Sequence, residues 1–330
     1  MPIVYSTASA DDVARFVTGH YGIIEPRCGL LSRGFNDVYA VSAPGGGAFV
    51  LRLSGRRARG SADVAAETAF LAHLDACGVP VAAAVPTLGG ALFTAMALPE
   101  GARPAVLFHL AKGRRPELDD PGDARLQGIA LARVHGAADR YTEREGGHQK
   151  LDLDHLLHRP LAAVLALGLD APAARPILLA IAGRLAAAVE RMAPALTRTR
   201  LHGDCHGLNA RIAARGAAGE QAVLFDFDDG GFGFLCYDLA VHLWAQVSFG
   251  RRRHAIWRAF DAGYRSVRPV DPADEAAVPV FVAIRHIWMM GAFASRVAEW
   301  GSEALSPAWL DREARFLLAW EDARLSPVLL

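Results

Sequence analysis

The feature that most constrains this chain is a polar loop followed by an apolar strand. Together they interrupt the second half of the sequence, in which apolar residues otherwise recur with helical spacing. The loop has the sequence HGDCHGLN over residues 202–209, and the run AVLFDFDD follows at residues 222–229. A short apolar run beside turn-forming residues is typical of a buried β-strand. Because loops held by buried strands commonly carry chemistry, this segment contains the candidate functional residues.

Three oxygen-bearing side chains in this segment, Asp204, Asn209 and Asp226, suit phosphoryl transfer. That reaction needs a carboxylate near the acceptor hydroxyl and oxygen ligands for a magnesium ion on the nucleotide phosphates. A carboxylate and an amide on one loop can divide this labour, with Asp204 facing the acceptor and Asn209 turned toward the metal. Asp226, at the end of an apolar strand, is expected to be rigid enough to bind the same metal.

The first third of the chain is predicted to be rich in strands. Two apolar runs joined by Pro-Gly-Gly-Gly predict one hairpin, and two more separated by Pro-Glu-Gly predict another. One amphipathic helix lies between the hairpins, and a short helix capped by Ser9 precedes them. The predicted strands are residues 28–43, 48–53, 91–98 and 105–110, and the predicted helices are residues 9–21 and 63–77.

From residue 121 onward, alanine- and leucine-rich segments with helical spacing dominate. The sequence therefore predicts an α+β chain of two lobes. Residues 1–110 form an N-terminal antiparallel sheet lobe with one key helix, and residues 111–330 form a larger, mainly helical C-terminal lobe.

Charge and composition argue against several classes of partner. The chain has 35 basic and 35 acidic residues, so no net field draws it to nucleic acid or to an anionic membrane. The first residues lack the pattern of a secretory signal, and apolar runs are broken by Arg, His or Gly before they reach membrane-spanning length. Four widely spaced cysteines argue against a disulfide framework and a thiolate zinc site. We expect a cytoplasmic protein without nucleic-acid or membrane partners; the sequence indicates no oligomeric state.

The loop and strand resemble those of the aminoglycoside phosphotransferase and choline kinase family, which shares its fold with protein kinases. In that family a His-Gly-Asp-x-His-x-x-Asn loop carries the catalytic aspartate and a metal-binding asparagine, and the aspartate of the following strand binds magnesium. The resemblance implies these roles for Asp204, Asn209 and Asp226. It also implies ATP and Mg²⁺ as cofactors and a bilobal protein-kinase-like fold, with nucleotide bound by the N-terminal lobe and substrate by the helical lobe.

Upstream segments extend the resemblance to the nucleotide site. The segment LSRGFNDVY, residues 31–39, resembles the family's phosphate-covering turn, although it lacks a full glycine-rich pattern. This implies that Gly34 and Asn36 lie near the phosphates. The strand FVLRL resembles the one that bears the phosphate-binding cation, here Arg52 where lysine is the better-known residue. A guanidinium is larger than an ammonium group but carries the same charge and can bind phosphate oxygens bidentately.

Two further parts of the nucleotide site are implied by the same resemblance. Glu67, on the predicted helix after this strand, matches the glutamate that pairs with the cation. Phe108 and Leu110 lie in the run 108–113, which matches the adenine-binding hinge between the lobes.

Several residues allow alternative interpretations. His202 and His206 could be zinc ligands, but that hypothesis leaves Asn209 and Asp226 without a role, so we favour histidines that orient the loop through hydrogen bonds. Asp238 is interpreted as a helix cap that braces the loop.

Other polar residues are open to two roles each. His135 is more typical of a packed core histidine than of a catalytic one. Asp228 and Asp229 suit either shaping of the metal site or turn capping. The basic run at residues 56–59 suits either phosphate steering or a solvated loop.

The sequence thus predicts an ATP-dependent phosphotransferase that acts on a hydroxyl of a small metabolite or an aminoglycoside-like alcohol. A protein Ser/Thr kinase of the bacterial stress-response type is one alternative, because the HGDCH loop and residues 284–300 resemble that branch. Residues 70–80 resemble homoserine kinases instead. An inert kinase-like binding module is a further alternative, suggested by Arg52 and the incomplete glycine turn.

Overall fold

The computed structural model describes residues 3–55, 60–142, 149–216 and 219–324. The basic run at residues 56–59 lies outside the described residues. The chain forms two compact units. Unit 1 consists of Met1–Arg115, Gly136–Gln149 and Ala210–Asp228, and unit 2 consists of Pro116–His135, Lys150–Asn209 and Asp229–Leu330. The division into lobes after residue 110 stays a prediction, whereas the compact units add two later segments to the N-terminal one.

Unit 1 contains a five-stranded antiparallel sheet with the strand order β1-β2-β3-β5-β4. Helix α1 is capped by Ser9, as the sequence predicts, and its Val13 and Val17 pack with Leu51 and Leu107 of the sheet in one hydrophobic core. The elements are α1 (Ala10–Tyr21), β1 (Arg27–Arg33), β2 (Asn36–Ser42), β3 (Ala48–Ser54), α2 (Ser61–Ala76), β4 (Thr94–Leu98) and β5 (Gly101–His109).

A hairpin from the second half of the chain also belongs to unit 1. It consists of β8 (Ala210–Ala214) and β9 (Glu220–Leu224). The backbones of Arg114 and Ile212 exchange hydrogen bonds of 3.0 and 2.9 Å, and Ala82 N donates to Leu224 O at 3.0 Å. The hairpin joins unit 1 because its strand edges satisfy backbone groups that would otherwise stay unpaired. Spacing along the sequence does not reveal such a pairing.

Unit 2 is mainly helical, with a small sheet in which β10 pairs parallel to β6 and antiparallel to β7. These three short strands were not predicted from the sequence. Helix α3 ends in residues that belong to unit 1. The elements are α3 (Pro121–Ala138), β6 (Lys150–Leu151), a π-helical turn (Asp154–His158), α4 (Arg159–Ala166), α5 (Ala174–Met192), a 3₁₀ turn (Ala193–Ala195), β7 (Arg198–Leu201), β10 (Gly231–Phe234), α6 (Leu235–Val247), α7 (His254–Arg265), α8 (Pro272–Ala294), α9 (Val297–Trp300) and α10 (Pro307–Arg324).

Helix α8 is the one helix among the described residues with the length and composition of a membrane span. Its most apolar window has a mean hydropathy of 1.5, and 78% of that window is buried inside the fold. The expectation that no apolar run approaches this length therefore does not hold for α8. A helix that is apolar on nearly all sides is also what the core of a large helical unit requires.

Two glycines bring α3 and α7 of unit 2 into backbone contact. A Cβ atom on Gly128 would lie 2.0 Å from Phe260 O, and one on Gly263 would lie 2.1 Å from Arg125 O. No side chain fits at either position unless the helices separate. The two glycines therefore set the distance between α3 and α7.

Replacement of Gly263 with alanine is expected to lower the free energy of unfolding by about 2 kcal/mol, because the added methyl group forces the two helices apart. Urea denaturation measures this change. Gly183→Ala on α5 is the matched control, since a Cβ there meets no atom within 4 Å. That variant should be neutral or up to about 1 kcal/mol more stable. Equal stability of the two variants would contradict the proposed steric contact.

Candidate functional site

Asp238, in the first turn of α6, fixes the start of the polar loop in unit 2. Its carboxylate accepts hydrogen bonds from the backbone N–H groups of His202 and Gly203, both at 2.7 Å. A third bond, of 3.0 Å, joins it to Nε2 of His135, whose Nδ1 lies 2.7 Å from Tyr264 Oη. The bracing role predicted for Asp238 is supported, and His135 is a buried partner of that brace. The predicted role as a helix cap is wrong, because α6 begins at Leu235 and Asp238 lies inside its first turn.

The buried Asp238 carboxylate stays ionised. Burial by itself raises the pKa of Asp238, but the hydrogen bond from His135, the charges of His135 and His202, and the Gly203 N–H together outweigh burial. The net result is a pKa below the ordinary value. A buried carboxylate is tolerated because hydrogen-bond donors surround it.

Gly203 has no room for a side chain. Its φ angle is +82°, and a Cβ atom there would lie 2.0 Å from Asp229 O. Only glycine adopts this backbone conformation without strain and also permits such a close approach. Steric constraints therefore explain why the second residue of the loop motif is glycine.

The loop brings Asp204 and Asn209 together. The Asn209 side-chain amide donates to Asp204 O at 3.0 Å and to Asp204 Oδ2 at 2.9 Å. The Asp204 side chain is 16% exposed. Since the Asn209 Nδ2 group is engaged, its Oδ1 is the atom left to bind a ligand, and no described residue donates to it. The pair presents one carboxylate and one amide oxygen.

Arg285 of α8 is a contact of Asp204 that was not predicted from the sequence. One of its terminal nitrogens, Nη2, donates to Asp204 Oδ1. The other, Nη1, lies 3.3 Å from both Gly203 O and Tyr237 Oη. Burial by itself lowers the pKa of Arg285, but neighbouring Tyr237 and Asp204 outweigh burial and raise it, so the guanidinium stays charged. A single arginine inside the apolar run VAIRHIWMM was the available signal.

In unit 1, Arg52 and Glu67 form a buried bidentate ion pair. Arg52 Nη1 donates to Glu67 Oε1 at 2.8 Å, and Nη2 donates to Oε2 at 2.5 Å. The Arg52 guanidinium also lies 3.8 Å from Asp226 Oδ1 and 5.2 Å from the centre of the Phe108 ring. Burial lowers the pKa of Arg52, but the charge of Glu67 outweighs burial and raises it. Four of the predicted nucleotide-site and metal residues therefore lie together.

Asp226 was predicted to lie at the end of a strand. Strand β9 ends at Leu224, so Asp226 lies two residues beyond it. Its φ angle of +67° lies in the left-handed region, which Asp and Asn tolerate better than most residues. Its side chain is 41% exposed. The unusual backbone conformation and the exposed carboxylate are features found at ligand sites.

The remaining predicted nucleotide residues make contacts of their own within unit 1. Gly34 N donates to Asn36 O at 3.0 Å, which closes the turn between β1 and β2. A Cβ on Gly34 would meet no atom within 4 Å, so sterics do not require glycine there. The Asn36 side chain accepts from Gly55 N at 3.1 Å and donates to Asp228 at 2.8 Å. Leu110 N donates to Ala48 O at 3.3 Å, so its own N–H is already bonded.

The loop histidines take part in hydrogen bonds of the loop. His202 Nδ1 accepts from Asp204 N at 3.2 Å, and His206 Nδ1 accepts from Leu208 N at 3.3 Å. Among the described residues, no group of three or more His, Cys, Asp or Glu side chains has the arrangement of a metal site. These contacts support loop orientation and give the zinc hypothesis no support.

Asp238→Asn is expected to lower the free energy of unfolding by about 2 kcal/mol or more, because buried donors lose their charged acceptor. Urea denaturation at neutral pH measures it. Asp261→Asn on α7 is the control, since its ion pair with Arg265 lies at the surface and such pairs contribute about 0–1 kcal/mol.

The same comparison has a pH dependence. The pKa of Asp238 is lower in the folded state than in the unfolded chain. Its stabilising effect is therefore complete above the unfolded value of about 4 and is lost as the pH falls through the folded pKa. The stability difference between wild type and Asp238→Asn should narrow under acid; a constant difference would contradict this linkage.

Glu67→Gln is expected to lower the free energy of unfolding by about 3 kcal/mol, because the Arg52 charge stays buried without its carboxylate. Glu321→Gln is the control, since that residue pairs with Arg184 at the surface and should cost at most about 1 kcal/mol. Denaturation curves of the two variants measure the loss in free energy of unfolding for each. A similar loss in both would show that the buried pair contributes no more than an exposed one.

Comparison with known proteins places the chain in a family. The model of the phosphotransferase enzyme family matches residues 29–270, which include the polar loop, Arg52, Glu67 and Asp226. An uncharacterized protein of Deinococcus radiodurans is 39% identical over 324 residues, which is 97% of this chain and 92% of that protein.

Solved structures share the fold across nearly the whole chain. A microcompartment-associated aminopropanol kinase has a TM-score of 0.78 at 22% identity, with 94% of this chain and 98% of that chain covered. An amicoumacin kinase in complex with AMP-PNP, Ca²⁺ and Ami has a TM-score of 0.75 at 20% identity, with coverages of 96% and 94%. A choline kinase from Cryptosporidium parvum has a TM-score of 0.65 at 12% identity, with 98% of each chain covered.

The sheet of unit 1 and the helices of unit 2, together with these likenesses, confirm the predicted α+β, protein-kinase-like fold. The matched segment extends over most of the sequence and contains the loop on which the family resemblance depended. The chain therefore belongs to the phosphotransferase enzyme family and is a phosphotransferase.

Proposed function

We propose that the protein transfers the γ-phosphate of ATP to a hydroxyl group of a small-molecule alcohol. The observation that carries the proposal is the Asp204–Asn209 pair, a partly exposed carboxylate with an adjoining amide oxygen on one loop. Phosphoryl transfer is catalysed by positioning and charge stabilisation, which such a pair can provide. Similar solved structures include the amicoumacin kinase with AMP-PNP and a spectinomycin phosphotransferase with ADP and spectinomycin.

Asp204 is proposed to receive the proton of the attacking hydroxyl. A general base must lie within hydrogen-bond reach of that proton, and the exposed fraction of the Asp204 carboxylate permits this approach. Its orientation is fixed from two sides, because Arg285 donates to Oδ1 and Asn209 donates to Oδ2. A base held in this way is aligned before the acceptor binds.

Asn209 and Asp226 are proposed to hold Mg²⁺. Both fit the ion chemically, since magnesium prefers oxygen ligands and is bound by one or two protein groups together with phosphates and water. The Asn209 amide oxygen receives no hydrogen bond from the described residues, and the Asp226 carboxylate is 41% exposed. When bound, the ion would neutralise charge on the nucleotide phosphates.

Arg52 is proposed to bind phosphate oxygens, with Glu67 fixing its orientation. Gly34, Asn36, Phe108 and Leu110 remain proposed parts of the nucleotide site. A cytoplasmic location and the absence of nucleic-acid and membrane partners likewise belong to this proposal, as does an acceptor of low molecular mass.

Replacement of Asp204 with alanine is expected to lower kcat by about a hundredfold or more, because proton transfer loses its base. The assay measures ADP release with ATP and Mg²⁺ across a panel of alcohols and a generic protein substrate. ATP binding, measured by calorimetry, should be largely retained. Asn209→Ala and Asp226→Ala should instead raise the Mg²⁺ concentration needed for half-maximal activity.

Leu208→Ala, on the exposed surface of the same loop, is the matched control and should keep kcat within about twofold. A normal rate in Asp204→Ala would exclude Asp204 as the base. Transfer to protein but to no alcohol would favour the protein-kinase alternative, and ATP binding without turnover would favour an inert module.

A further inference from the structure

Two tryptophan rings pack against Arg285, the arginine that contacts Asp204. The Arg285 guanidinium carbon lies 4.2 Å from the centre of the Trp288 ring and 5.2 Å from that of Trp244. Arg285 is only 4% exposed. Aromatic faces at this distance are the surfaces with which proteins bind ammonium groups. In this chain the guanidinium occupies that position.

The position of Arg285 puts it next to the reacting hydroxyl of an acceptor. Its Nη2 donates to Asp204 Oδ1, and its Nη1 lies 3.3 Å from Gly203 O and from Tyr237 Oη. An acceptor hydroxyl that meets the Asp204 carboxylate is therefore one hydrogen bond away from the guanidinium. If the acceptor carries a second polar group close to that hydroxyl, this group lies near the permanent positive charge of Arg285.

Nearby carboxylates limit how far this charge acts. Asp204 and Asp229 both interact electrostatically with Arg285, so the surroundings are not positive as a whole. Opposite charges offset one another over distance, whereas a group in direct contact with the guanidinium experiences mainly that contact. The effect of Arg285 on an acceptor is therefore local to the atoms that adjoin the reacting hydroxyl.

Hydrogen-bond capacity points to the same preference. A guanidinium has five N–H donors and no acceptor. Nη2 of Arg285, which contacts Asp204, carries two hydrogens and donates one hydrogen bond among the described residues, to Asp204 Oδ1. An oxygen can accept from such donors, but an ammonium group cannot, because it too is only a donor. Unsatisfied buried donors destabilise a complex.

We infer that Arg285 determines acceptor specificity: the acceptor is an alcohol whose nearest second polar group is a hydroxyl or carboxylate oxygen and not an ammonium group. The inference rests on the proposed function, because it takes Asp204 as the group that the acceptor hydroxyl meets. It separates this chain from the aminopropanol and choline kinases that share its fold.

The test compares acceptors that differ only in that second group. Ethylene glycol, glycolate and ethanolamine form one set, and glycerol and serinol form another. For the full-length protein with ATP and Mg²⁺ at neutral pH, kcat/KM is measured for each compound. Within each set, the oxygen-bearing members should be used at least about tenfold more efficiently than the amine, because like charges in contact repel.

Variants on α8 and just after it identify the residue responsible. Arg285→Met should reduce the preference by about tenfold or reverse it, because the charge is lost. Arg285→Lys should keep the preference, because it keeps the charge. Arg296→Met is the control: it removes another buried arginine, which pairs with Glu299 at 2.7 Å, and should leave the ratio unchanged. If Arg285→Met fails to fold, Arg285→Gln replaces it, since Gln can still donate to Gly203 O.

The ratio of kcat/KM between the oxygen-bearing acceptors and the amine tests the inference even where a variant has a lower overall rate. An amine used as well as or better than its oxygen analogues by the wild type would overturn the inference while leaving the phosphotransferase function intact. So would an unchanged preference in a folded protein without the Arg285 charge. Absence of ADP release with both sets and with a wider panel of alcohols would instead count against the proposed function, and the inference would fall with it.

Discussion

The arrangement of the candidate site in unit 2 depends on the buried carboxylate of Asp238. That carboxylate binds the backbone at the first two residues of the loop, and His135 holds it in place from the helical side. Asp204 is the next residue in the chain, so its position follows from backbone that is already fixed. A carboxylate that is surrounded by N–H donors can remain ionised in the core, and in this way one buried side chain orders the polar loop.

Each of the two units contains a buried arginine that is paired with a carboxylate. In unit 1 the buried Arg52 is paired bidentately with Glu67, and in unit 2 the buried Arg285 is paired with Asp204. The two pairs differ in purpose. Glu67 is nearly as buried as its partner, so that pair orients a cation, whereas Asp204 stays partly accessible and keeps a free approach for a ligand. Burial of the arginines excludes water and strengthens each contact.

The sequence predicted the class of fold and the residues of the polar loop because both depend on local patterns. Apolar runs beside turn residues predicted strands in unit 1, and Ser9 predicted the start of α1. The predicted single strand at residues 28–43 is two strands, β1 and β2, in the structure. Contacts between distant segments were not predictable in this way. The β8–β9 hairpin joins unit 1 through backbone bonds near Arg114, and Arg285 reaches Asp204 from 81 positions along the chain. Neither contact leaves a periodic signal in the sequence, since each depends on how elements pack.

The left-handed backbone of Asp226 has a consequence for experiments that probe the role of its side chain. At a φ angle of +67°, the conformation itself favours residues with short polar side chains, so glutamate would keep the negative charge but strain the main chain. Asparagine would keep the conformation and remove the charge. At this position the effect of the negative charge can therefore be separated from that of the backbone conformation by asparagine and not by glutamate. Glutamate would otherwise be the usual conservative replacement.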